Sequence, residues 1–145
     1  MKNGGAIMSL RKGIADIEAT IKVDDFSFQL NPPAKIDDIE AFEKKHSIQI
    51  PAIYREWLMF SDGGCLFDSK VQFYGVKQKP VIEIKSEWGL PDEYITIGAM
   101  NWGDPICFLR SEQKILMVSH EGGGNDEYKD FGAFLEYLVK LSSEK

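Results

Sequence analysis

The sequence is poor in the residues that make most sites recognisable. It has 145 residues, two cysteines, Cys65 and Cys107, and two histidines, His46 and His120. Two thiols are too few for a disulfide framework, so reduced, buried cysteines are expected. With no Cys-x-x-Cys and no His-x-x-x-His, a structural zinc site has no framework either. His120-Glu121 begins like a metalloprotease helix, but Gly124 stands where the second histidine belongs, and Gly122-Gly123-Gly124 would break that helix. No apolar run approaches the ~18 residues that span a bilayer. Nor does a signal core form before Arg11 and Lys12, and position 2 lacks the glycine of a myristoylation signal. The expectation is a cytoplasmic, soluble chain. Basic charge is also short. The net charge of −6 argues against binding nucleic acid, whose phosphates need clustered Lys and Arg, and suits a basic protein partner.

The remaining chemical motifs fail on their neighbours. Gly122-Gly123-Gly124-Asn125 is followed by Asp126, Glu127 and Asp130, which repel the anion that a phosphate loop would hold. Asp24-Asp25 and Asp37-Asp38 are adjacent pairs that fit a solvated face better than a glycosidase pair. Cys65 or Cys107 with a histidine has no local signature of a nucleophile. No cofactor is expected and no catalytic residue is nominated.

What is present is apolar periodicity in an ordinary globular composition, 43% hydrophobic and 28% charged. One domain is expected over 1–145. Ser9 can cap a helix carrying Leu10, Ile14, Ile17 and Ile21. After Asn31-Pro32-Pro33, a second helix sets Ile36, Ile39, Phe42 and His46 on one side, with Asp37, Asp38, Glu40 and Glu43 facing water. Pro51 starts a third helix with Ile53, Tyr54, Trp57, Leu58 and Phe60, which stops at Asp62-Gly63-Gly64. The period then changes to two. Val71–Val76 and Tyr94–Gly98 read as strands, and Ile106–Leu109 with Ile115–Val118 as an antiparallel hairpin. Between residues 78 and 91, Val81, Ile82 and Ile84 suit a strand, or a short helix starts near Lys85. Residues 121–125 read as a glycine loop. A last helix from about Asp130 carries Phe131, Phe134, Leu135, Leu138 and Leu141. Segregated helices and strands predict an α+β fold, a mainly antiparallel sheet packed against N-terminal helices and a C-terminal helix.

Two stretches carry a resemblance. The first runs from Ile36 to Gly64, through Phe42-Glu43, Ile48-Gln49-Ile50-Pro51, Tyr54, Trp57-Leu58 and Gly63-Gly64. The second runs from Ile97-Gly98 through Asp104, two strands and His120-Glu121 to the Phe131–Leu138 helix. Together they resemble the SUKH superfamily, roughly over 36–138. Departures are Ile50 for the usual Leu, Ser61-Asp62 for Ser-Asn, and Pro105 after Asp104, which makes that strand start late or lie at an edge. The resemblance implies a non-catalytic α+β domain. In bacteria it implies an immunity protein neutralising a cognate toxin, often a nuclease or deaminase, and elsewhere a regulatory or scaffolding adaptor. An unrecognised small enzyme is the remaining alternative.

The residues singled out for a partner are two polar turns, Asp62-Gly63-Gly64 and Asn101-Trp102-Gly103-Asp104. Trp102 is either an exposed anchor, as Trp is enriched among binding hot spots, or a ring packed over a core edge with Asp104 closing the turn.

Overall fold

The computed structural model describes residues 14–15, 28–67, 69–84, 93–109, 112, 114–119 and 124–143. Of the expected first helix, Ile14 and Ala15 are helical and Ile14 packs on the core. The rest of that stretch, the possible helix near Lys85, His120 and Gly122-Gly123 lie outside the described residues.

Helix α1 spans Ile36–His46 and α2 spans Ala52–Phe60. The acidic first turn of α1 and its Lys44-Lys45-His46 end both complement the macrodipole, and Asp38 Oδ2 accepts the Lys35 N–H at 3.2 Å. Ile39 and Phe42 are buried, but Ile36 is 53% exposed. Glu43 does not face water as the helical pattern predicts. Its Oε2 accepts the Ile50 N–H at 2.7 Å, and Oε1 lies 3.8 Å from Arg55 Nη2, which ties α1 to the start of α2. Pro51 precedes the first turn of α2, where a missing N–H costs nothing.

Six strands follow: β1 Gly64–Leu66, β2 Val71–Phe73, β3 Tyr94–Met100, β4 Pro105–Leu109, β5 Ile115–Val118 and β6 Asn125–Tyr128. They form one sheet in sequence order, antiparallel throughout, and α3 (Phe131–Ser143) closes the fold. The α+β class and the antiparallel sheet agree with the sequence pattern. Two strands were not foreseen, β1 and β6. The stretch Val71–Val76 is shorter than expected, since pairing stops at Phe73 and Gly75 makes only a bridge to Val81. Pro105 opens β4 opposite Ala99, yet β4 lies inside the sheet between β3 and β5. The missing donor is accommodated at the strand's first position, not at a sheet edge.

Ile95, Phe108 and Ile115 are register partners and form one face with Leu66, Val71 and Phe73. This face meets the helices through an aromatic cluster. Trp57 lies 5.8 Å from both Phe73 and Phe131, and Phe73 lies 5.1 Å from Phe131. The edge-on geometry adds to the area that these rings bury. The opposite face carries a smaller buried group of Cys107, Leu116 and Val118. Because Trp57 is fully buried and touches helix and sheet alike, Trp57→Ala is expected to cost ~3–5 kcal/mol, read as a lowered urea midpoint with an unchanged m-value.

Candidate functional site

In an antiparallel meander, successive turns alternate between the two ends of the sheet. The β1–β2, β3–β4 and β5–β6 connections therefore share one end. Asp62, which precedes β1, lies at the other end with the chain leaving β2. The two sequence-nominated turns are thus on opposite ends and do not form one surface.

At the first end, Asp62 is 1% exposed. Its Oδ1 accepts the Val76 N–H at 2.7 Å, and its Oδ2 accepts those of Lys77 and Gln78 at 3.0 and 2.8 Å. These are charge-assisted bonds, individually stronger than neutral ones. Around it, Ser61 Oγ accepts the Asn31 N–H at 3.0 Å and donates to the Gly63 carbonyl at 2.9 Å. Asn31 Nδ2 donates to the Asp62 carbonyl at 2.8 Å, and Trp57 Nε1 to the Gly63 carbonyl at 3.2 Å. Gly63 holds φ 92°, and a Cβ on Gly75 would sit 2.5 Å from Asp62 Oδ1. Only glycine fits either place. Asp62, Gly63 and Gly64 are all buried, so this corner presents no carboxylate to a partner. It joins the helices to the sheet.

The other end differs. The Asn101 N–H donates to the Lys70 carbonyl at 2.8 Å, Gly103 N–H to the Met100 carbonyl at 3.0 Å, and Met100 N–H to the Asp104 carbonyl at 2.9 Å. These bonds fix the β3–β4 turn. On it Trp102 is 44% exposed, and its Nε1 donates to Asp104 Oδ2 at 3.0 Å. The ring is thus held by its polar edge while its apolar surface meets water. Of the two readings of Trp102, the exposed one describes its position, with Asp104 as the group that orients it. Asn101 is exposed and Gly103 is half-buried at φ 103°.

The thiols are far apart, Cys65 on β1 and Cys107 on β4, three strand spacings or ~14 Å. Cys65 is half-buried, contrary to the expectation of two buried thiols. It lines a 170 Å³ recess with Gln29, Gln72 and Lys79. Burial pushes the Cys107 thiol up to about 11, against a hydrogen bond with Thr96 that lowers it. His46 lies on α1 with its ring 4.4 Å from that of Phe42. Among the described residues no three His, Cys, Asp or Glu side chains converge, and no helix is long and apolar enough to cross a membrane.

A family model described as SMI1 / KNR4 family (SUKH-1) matches residues 33–137. No curated protein matches the chain.

The two ends predict opposite mutational behaviour. Asp62→Ala orphans three amides and is expected to lower stability by ~3 kcal/mol or more, whereas Trp102→Ala should change it by less than ~0.5 kcal/mol, both in urea denaturation. Cys107 is buried and held as the thiol at pH 8, while Cys65 is half-exposed, so an aromatic disulfide reagent should label Cys65 in the folded protein and Cys107 only after denaturation, checked by peptide mass spectrometry.

Proposed function

The chain belongs to the SMI1 / KNR4 family (SUKH-1), and on that premise we propose that it is a non-catalytic, cytoplasmic protein-binding module that neutralises a cognate toxin domain of nuclease or deaminase type. The observation that carries this reading is the exposed, pre-oriented Trp102 on a turn whose backbone is already bonded. An anchor fixed before binding loses little conformational entropy on docking. A large aromatic surface whose one donor is satisfied within the turn adds apolar area without leaving a polar group stranded.

Charge supports the same partner chemistry. A toxin that acts on nucleic acid must present basic residues around its substrate groove. A chain of net charge −6 meets that groove with favourable long-range attraction, which speeds encounter and falls with added salt. Occupying the groove excludes the substrate, so neutralisation needs no chemistry from the inhibitor.

The test is co-expression with the toxin domain encoded beside this chain's gene. Growth should be rescued and a stable complex recovered, with Trp102→Ala weakening binding by ~30-fold, equivalent to a 2 kcal/mol anchor. Rescue with a Trp102→Ala affinity within threefold of the parent would remove the proposed surface. Failure of both rescue and complex formation would leave the regulatory adaptor as the better reading.

A further inference from the structure

The two edges of the sheet are not alike. At β1 the edge is covered: Gln29 N–H donates to the Cys65 carbonyl at 2.8 Å, and Cys65 N–H to the Gln29 carbonyl at 2.9 Å. At β6 the edge is open among the described residues. Ser119 N–H donates to the Gly124 carbonyl at 3.2 Å. Bonded pairs in an antiparallel ladder alternate, so Asp126 with Met117 and Tyr128 with Ile115 are the next bonded pairs in the register. Asn125 and Glu127 therefore direct their N–H and C=O groups outward, four backbone groups aimed away from the sheet.

The strand that carries them is firmly placed. Tyr128 packs edge-on against Phe134 at 5.0 Å and tilted against Tyr137 at 5.2 Å, which fastens β6 to α3. Its exposed side chains are acidic or polar. Glu127 pairs with Lys114 at 2.9 Å, while Asp126 is in no ion pair among the described residues.

We propose that β6 accepts an extended, lysine- or arginine-bearing segment of the partner protein as a seventh strand. The proposal rests on the protein-binding reading above and adds the partner's conformation and charge. Main-chain bonds to Asn125 and Glu127 supply affinity, and a row of basic side chains on the face that Asp126 presents supplies selectivity, Glu127 lying on the other face already paired with Lys114. A second copy of this chain is a poor occupant, because paired acidic edges would set like charges opposite one another. The position also suits a joint interface. Asn125 is at the same end of the sheet as the Trp102 turn, two strand spacings or ~10 Å from β4, so one partner can engage both.

The experiment needs no toxin. The full chain, labelled with nitrogen-15, is titrated at low ionic strength with acetyl-Lys-Val-Lys-Val-Lys-Val-Lys-amide and with the peptide in which every Lys is Glu. The lysine peptide should shift the amides of residues 125–128 saturably, and the glutamate peptide should not. Glu127→Pro removes an outward N–H without touching the ladder to β5. It should weaken binding at least tenfold, while Glu127→Ala weakens it less than threefold. Asp126→Lys with Glu127→Lys should transfer binding to the glutamate peptide, a gain that unfolding cannot produce. Equal binding by Glu127→Pro, shifts mapping elsewhere, or no shift at all would overturn the proposal. Toxin rescue with no peptide binding at β6 would defeat this inference alone, and peptide binding at β6 without rescue would support it and count only against the immunity reading.

Discussion

The carboxylate of Asp62 is the constraint on which the rest of the molecule depends. A buried charge is tolerable only when its lone pairs are taken up, and here three successive amides, those of Val76, Lys77 and Gln78, do so. The bond set joins the end of α2 to the chain leaving β2. It requires close backbone approach at Gly75 and a positive φ at Gly63. It also directs Gly64 into β1, whose pairing with β2 begins the sheet. Ser61, Asn31 and Trp57 add their bonds to the same corner. The helix pair and the meander are thus locked together by a polar node beside the aromatic cluster of Trp57, Phe73 and Phe131.

A node placed at one end of a meander leaves the other end free for different duties. The β1–β2, β3–β4 and β5–β6 connections gather there by alternation alone. Their exposed parts include Asn101, Trp102 and the start of β6. The two ends therefore differ in character, one fixed by internal hydrogen bonds around Asp62 and the other presenting the oriented indole of Trp102. The backbone of the β3–β4 turn is held by main-chain bonds and by the positive φ of Gly103, so the side chains of Asn101 and Trp102 can be changed without removing those bonds.

Much of the fold was legible because its signals are local. Ile39, Phe42, Ile53, Trp57 and Leu58 recur at helical spacing, and β4 and β5 are apolar runs around a polar turn. Short β1 and β6 were not legible. Gly64–Leu66 follows a glycine pair that reads as a helix stop, and Asn125–Tyr128 has only Tyr128 to suggest a strand, so neighbouring β2 and β5 specify them through pairing. Glu43 and Asp62 misled for a shared reason. Each is an acidic residue at a place where local pattern predicts solvent, and each accepts backbone N–H from outside its own helix, Glu43 from Ile50 seven residues on and Asp62 from Val76, Lys77 and Gln78. The signal of Asp62's burial is its position directly after an apolar helix and before two glycines, where a carboxylate has backbone close on every side. The exposure of Trp102 was legible only as one of two readings, because an indole among Asn, Gly and Asp has no strand core to enter, and its bond to Asp104 has no signature in the sequence.

Separation of the two ends is the central claim, and amide hydrogen exchange of the chain alone and in complex with the toxin domain tests it most directly. Val76, Lys77 and Gln78 are expected to be protected in the free protein and unchanged on binding, while Asn101–Asp104 and the outward amides of Asn125 and Glu127 gain protection. Protection gained instead along α1 and residues 76–79, with the Trp102 turn unaffected, would contradict it.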